Sequence, residues 1–265
     1  MIFKTEGLVL RVAPFSRTSH TVLWLTPDRG KLATLVKGAQ RAKSPFLGQY
    51  DLFYTCEILY YRRERTGLHL LKECTPENTR PHFRSDWRAF VIAAYFSDLA
   101  ARLCPPESPH PDVYKLMEAT LDALATPGRG WPLVFWFELQ LLGMVGLGPQ
   151  LDRCLSCGRP VDLVSVDQDR CWFSPTHGGL LCNACAAGAA GLMSAQLQVV
   201  EALRNWRSTA SPRQLVGAGV ATEHLVTIRD LLGRFLTFHV DPHPDCREFG
   251  LRVLPVLSGA HSHPM

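Results

Sequence analysis

Thr21-Val22-Leu23-Trp24-Leu25-Thr26-Pro27-Asp28-Arg29-Gly30-Lys31-Leu32-Ala33-Thr34-Leu35-Val36 is a pair of short apolar, β-branched runs around a tight turn. Pro27 presets the backbone entering the turn, and Gly30 tolerates whatever φ the return requires. The stretch therefore predicts a β-hairpin. Upstream, residues 8–12 read as a strand of the same kind; downstream, residues 52–61 and 68–73 supply a fourth and a fifth. Five short strands in about 75 residues, with a polar loop between the third and fourth, predict a small closed barrel of the OB type.

After Pro81 the period changes. Trp87, Phe90, Val91, Ala94, Tyr95 and Leu99 recur three and four residues apart, as do Val113, Leu116, Met117, Thr120, Leu121 and Leu124, which is the spacing of amphipathic helices. Residues 131–145 are apolar on all sides and predict a central helix. Helical periodicity resumes beyond residue 194, with Ser194 and Thr222 expected as N-caps of helices reaching Trp206 and His239. The expected class is α+β and multidomain. An OB-fold barrel spans residues 1–80, a helical domain comes in two parts (81–147 and 193–265), and a cysteine module is inserted at 148–192.

That module carries Cys154-Leu155-Ser156-Cys157-Gly158 and Cys182-Asn183-Ala184-Cys185. Each C-x2-C knuckle turns two thiolates toward one point, and two knuckles complete a tetrahedron, so Cys154, Cys157, Cys182 and Cys185 are the expected ligands of one zinc ion. Four sulfur ligands leave no position for water, which makes the metal structural rather than catalytic. Two redox pairs or unrelated thiols are the alternatives. Cys171, beside Trp172 and Phe173, reads as part of a packed strand, and Cys56, Cys74, Cys104 and Cys246 as small buried hydrophobes.

The net charge of +4 is modest but unevenly spread, with 13 Lys or Arg against 7 Asp or Glu in residues 1–80. Lys37, Arg41 and Lys43 fall within seven residues just after a strand, and Arg11, Arg17 and Lys31 extend the expected phosphate-binding stripe. Phe15, Trp24, Phe46, Tyr50 and Phe53 are available either for base stacking or for the barrel core. P-loop, GxGxxG, HExxH and GxSxG motifs are absent, so no nucleotide-driven or zinc-hydrolase chemistry is indicated, and no catalytic residue is assigned. Asp167 and Asp169 form the closest carboxylate pair and read as a hairpin turn. His239, Asp241, His243, Asp245 and Cys246 have irregular spacing around two prolines and read as a solvated turn. No apolar run of about 18 residues occurs, and the start of the chain lacks a signal-peptide pattern, so a cytoplasmic protein is expected.

The residues together resemble the RecO family of bacterial DNA-repair proteins. The resemblance is carried by Thr5-Glu-Gly-Leu-Val-Leu-Arg11, Arg17-Thr-Ser-His20, Leu25-Thr-Pro-Asp-Arg-Gly-Lys31, Val36-Lys-Gly-Ala-Gln-Arg-Ala-Lys-Ser44, Phe137-Glu-Leu-Gln-Leu-Leu-Gly143, residues 154–158 and Phe173-Ser-Pro-Thr-His-Gly-Gly179; residues 241–265 match least. It implies an N-terminal OB-fold, a helical C-terminal domain and an inserted zinc finger. It also implies binding of single- and double-stranded DNA, annealing of complementary strands, contact with single-strand-binding protein, and loading of RecA together with RecR, in association with the nucleoid. Lys37, Arg41 and Lys43 fall in the family's basic segment. Arg229, Arg234, Arg247 and Arg252 are the expected partners of the acidic tail of single-strand-binding protein, from charge type. An RNA-binding or transcription-linked protein using the same barrel and zinc ribbon is the alternative.

Overall fold

The computed structural model describes residues 1–63, 67–126, 130–161, 170–215, 219–240 and 246–255. The first 78 residues form five strands: β1 (Ile2–Ser16), β2 (Ser19–Thr26), β3 (Gly30–Val36), β4 (Thr55–Tyr61) and β5 (Leu68–Asn78). They close into a barrel in the order β1-β2-β3-β5-β4, sealed by a parallel pairing of β3 with β5 from Ala33–Leu68 to Leu35–Leu70. The hairpin of residues 21–36 forms as its sequence predicts, from Thr26–Gly30 up to His20–Val36.

β1 is three times the length its apolar run suggests. It serves two neighbours, pairing with β4 from Ile2–Tyr61 to Leu8–Thr55 and with β2 from Leu8–Leu25 to Ser16–Ser19. Its register shifts between Val9 and Arg11 and again between Pro14 and Ser16. Each irregularity bends the strand and breaks strict alternation, so the pattern in sequence fades before the strand ends. Inside, Val9, Val22, Trp24, Cys56 and Ile58 are fully buried in one cluster. The Trp24 indole N–H donates to Thr34 Oγ1 at 2.8 Å, which satisfies the polar end of a buried ring.

Leu52 and Phe53 fall outside β4. Phe53 has a φ of 68°, a left-handed conformation that costs a non-glycine residue about 1 kcal/mol or more. Its ring packs edge-on against Phe83 and Phe90 at 5.0 and 5.2 Å, which holds it there. Those two rings belong to α1 (His82–Ser85) and α2 (Trp87–Leu103), which with α3 (Pro111–Ala123) complete one compact unit, Met1–Ala125. Arg80, only 2% exposed, joins barrel to helix. It donates to the Phe53 carbonyl at 2.7 Å, Thr55 Oγ1 at 3.0 Å and Asp122 Oδ1 at 2.7 Å.

The second unit is Thr126–Met265. Its centre is α4 (Trp131–Met144), with Leu133, Val134, Phe135, Trp136, Phe137, Leu139, Leu141 and Leu142 all buried. α6 (Leu197–Ser208), α7 (Thr222–His239) and α8 (Cys246–Val253) accompany it. Between α4 and α6 lie β6 (Arg170–Ser174), β7 (Gly179–Leu181), the short α5 (Asn183–Ala186) and β8 (Met193–Gln196), the strands ordered β7-β6-β8. Ser194 is not a helix cap: it sits in β8 opposite Trp172, and α6 starts three residues later. Thr222 is the first residue of α7 rather than its N-cap, and the capping position, Ala221, makes no side-chain bond. Ser194 was drawn into extended backbone by strand pairing, which overrides a local capping preference.

Candidate metal centre and basic surface

The sulfur atoms of Cys154, Cys157, Cys182 and Cys185 all lie within 4.8 Å of one another, and the Sγ atoms of Cys157 and Cys182 are 3.8 Å apart. Tetrahedral bonds of about 2.3 Å to a central zinc would set sulfurs about 3.8 Å apart. The first knuckle is closed by the Gly158 N–H donating to the Cys154 carbonyl at 2.9 Å, with Gly158 at a φ of 71° that other side chains resist. The second is the first turn of α5, where the amides of Cys185 and Ala186 donate to the Cys182 carbonyl at 3.0 and 2.9 Å. The Leu155 amide donates to the Leu180 carbonyl at 2.9 Å and ties the two together. Gly179 allows the Gln150 segment to lie alongside, because a Cβ there would sit 2.5 Å from the Gln150 carbonyl oxygen.

The electrostatics favour a cation. Burial pushes the Cys154 thiol up, but amides of Cys157, Cys182 and Ser156 and the Cys157 side chain together outweigh it and bring the pKa down to about 6. At Cys185 the Ser156 hydroxyl pulls down, while the Cys182, Cys157 and Cys154 side chains together hold the pKa at about 11. Cys154 is thus the readier thiolate of these two, and the neighbouring thiols resist charge at Cys185. A dication removes that resistance, since coordination deprotonates thiols outright. The donor set fits zinc, with no position left for water or substrate. Cys171 is buried in β6 and Cys56, Cys74 and Cys104 are buried elsewhere, whereas Cys246 is half-buried.

Lys37, Arg41 and Lys43 are exposed on the loop after β3. Gln40 N donates to the Thr18 carbonyl at 3.1 Å, Gly38 N to Ser19 Oγ at 3.2 Å, and the Gln40 side chain meets His20 Nε2 at 2.7 Å. These bonds bring the loop against the β1–β2 turn, where exposed Arg17 lies. Arg11 and Lys31 do not join that group. Arg11 pairs with Asp98 of α2 at 3.0 Å. The Lys31 ammonium donates to the Ala101 carbonyl, and burial pulls its pKa down. Both hold α2 to the barrel. Among the five aromatics, Trp24 and Phe53 are core, Phe46 and Tyr50 pack against the core, and Phe15 alone is exposed, at 56%.

In the second unit Arg229 and Arg234 line an open depression of about 430 Å³ with Met193, Asp230 and Glu248. Arg252 is exposed on α8 but does not line it. Arg247 cannot serve a partner: it is fully buried, paired through Nε and Nη2 with Glu138 at 2.7 and 3.1 Å. A buried carboxylate needs such a base, and Glu138, the one charged residue of α4, was the signal for it. His239 bonds the Pro175 carbonyl at 2.8 Å and stacks near Phe235, whereas Asp167, Asp169, Asp241, His243 and Asp245 lie outside the described residues. Among the described residues, no helix is long and apolar enough to cross a membrane.

Two family models match this chain: "Recombination protein O N terminal" over residues 1–80 and "Recombination protein O C terminal" over residues 84–247. Curated relatives named DNA repair protein RecO include that of Anaeromyxobacter dehalogenans strain 2CP-C, 32% identical over 268 residues, covering 97% of this chain and 98% of the relative. That of Rhodopirellula baltica is 30% identical over 205 residues, covering 76% and 74%. That of Prosthecochloris aestuarii is 24% identical over 256 residues, covering 93% and 95%.

Proposed function

The chain belongs to the RecO family of DNA repair and recombination proteins, and from that premise we propose that it is a non-catalytic mediator acting on DNA. It binds single- and double-stranded DNA and anneals complementary strands. With RecR it helps load RecA onto DNA coated by single-strand-binding protein, in the cytoplasm. The observation that carries this reading is the cluster of exposed cations, Lys37, Arg41, Lys43 and Arg17, which form no ion pair among the described residues and are drawn together at one end of the barrel. Such a group attracts phosphates of either strand and screens two strands from each other, while Phe15 beside it offers a face for a base. Annealing then needs proximity rather than covalent chemistry.

Zinc, in this reading, supports the second unit from Cys154, Cys157, Cys182 and Cys185. The depression with Arg229 and Arg234 is the proposed seat of the acidic tail of single-strand-binding protein, its guanidinium groups pairing the tail's carboxylates. Arg229 already meets Asp230 at 2.7 Å; at a partly exposed site that pair is weak enough to be exchanged.

The test is binding and annealing of labelled oligonucleotides at several salt concentrations. Neutralising about four to six phosphates of a single strand gives a slope of roughly −3 to −4 in log K against log[salt]. Lys37→Ala/Arg41→Ala, folded by circular dichroism, is expected to lose affinity and annealing together and to flatten that slope. Unchanged affinity and slope in the folded variant would remove the basic loop as the DNA site.

A further inference from the structure

β3 separates the basic loop from the β2–β3 turn by about 20 Å at ~3.3 Å per residue, and a second feature lies at the turn end. Phe3, Tyr60 and His69 stack there with centroids 5.8 and 5.1 Å apart, and the Arg29 guanidinium lies 5.1 Å over Phe3. With Asp28, Arg62 and Glu107 these rings line a cavity of about 130 Å³. Tyr60 is 3% exposed as a residue and lines the cavity, and no protein group among the described residues hydrogen-bonds its hydroxyl. Burial raises its pKa, so it remains a neutral donor. His69 accepts from the Arg63 amide through Nδ1 at 3.2 Å, which leaves the proton on Nε2, 3.7 Å from Glu107.

The lining specifies its ligand. Arg29 meets Asp28 at 3.2 Å and Arg62 meets Glu107 at 3.0 Å, every one of these side chains 43–48% exposed, so both pairs are readily exchanged for a ligand. The two carboxylates oppose a phosphate. An apolar ligand would strip water from both ion pairs and from the Tyr60 hydroxyl without replacing it. A planar group that offers two adjacent donors on one edge and two acceptors on another meets both kinds of head at once. Among nucleobases guanine has this pattern, with N1–H and N2–H2 as donors and O6 and N7 as acceptors.

We propose that this cavity takes one unpaired guanine of a bound single strand, Glu107 accepting from N1–H and N2–H2 and Arg29 donating to O6 and N7. Tyr60 supplies a further hydrogen bond. The proposal rests on the DNA-binding reading above and adds a base preference to it: the basic loop holds the backbone, and the cavity holds a base some nucleotides away.

The experiment compares anisotropy titrations of a uniform dT oligonucleotide and the same oligonucleotide carrying a single dG. Wild-type protein is expected to bind the dG strand roughly tenfold tighter, the size of one good bidentate base contact. Glu107→Gln and Tyr60→Phe, the second of which keeps the ring stack, are expected to reduce that ratio toward one while leaving dT binding unchanged. Lys37→Ala/Arg41→Ala weakens both strands and preserves the ratio. Equal binding of both strands by the wild type, or a ratio untouched by Glu107→Gln and Tyr60→Phe, overturns the guanine site and leaves the DNA-binding reading standing. Binding of neither strand overturns both.

Discussion

The barrel keeps Val9, Val22, Trp24, Cys56 and Ile58 wholly out of water in one continuous cluster, whereas the cysteine module gathers four sulfurs around a point with Cys157 exposed and Cys182 and Cys185 half-buried. The first region has apolar area enough to fold on packing. The second has strands of three to five residues and a four-residue helix, with only a few apolar side chains such as Phe173 and Leu180 buried, and a metal in its four-sulfur cluster would add the stability that so small a core lacks. Each region is therefore vulnerable in its own way: through packing and buried polar partners in the barrel, through ligand occupancy and proton competition in the cysteine module.

The largest effect expected is therefore metal removal. Chelation, or Cys157→Ser with Cys182→Ser, should release zinc measured by elemental analysis and abolish amide protection across residues 170–196. A structural zinc site contributes on the order of 10 kcal/mol. The barrel amides should keep their protection; equal loss in both regions would break the contrast.

Next comes the buried pair of the helical unit. Glu138→Ala takes from the fully buried Arg247 the carboxylate that its Nε and Nη2 both contact and should cost about 3–5 kcal/mol, whereas replacing both partners by apolar residues of similar volume should restore much of it. Urea melts of the two variants decide this, and a double variant as unstable as the single one would mean that the pair does more than neutralise itself.

Acid sharpens the contrast. Below its usual range by burial, His69 binds its proton less well folded than unfolded. Its contribution to stability is thus present above pH 6.5, the ordinary value, and is lost as pH falls through the lower folded value. The barrel's melting temperature should fall gently over that window, and His69→Gln should flatten the decline. The cysteine module should respond more steeply, since several thiolates compete with protons for one metal. Similar slopes in both regions would count against a metal-held module.

The smallest effect on stability is expected for Lys37→Ala/Arg41→Ala, within about 0.5 kcal/mol by thermal melt, because exposed side chains that form no ion pair among the described residues rarely stabilise a fold. A larger loss would mean that the loop supports the barrel rather than awaiting phosphate.

The five-strand barrel, the hairpin at residues 21–36, the apolar α4 and the metal-binding spacing of the cysteines are legible in the chain alone. Each is written in local pattern: period two, period 3.6, turn chemistry, and knuckles closed within five residues. Which charges remain available depends on contacts between distant parts of the chain. Arg11, Lys31, Arg80 and Arg247 read like Lys37 or Arg41 as residue types, yet Asp98, the Ala101 carbonyl, Asp122 and Glu138 claim them. Those partners lie 42 to 109 residues away in the chain. A cation's partner depends on distance in space, which a local pattern does not encode; the same is true of the cavity beneath Tyr60, assembled from β1, the β2–β3 turn, β4, β5 and the loop before α3.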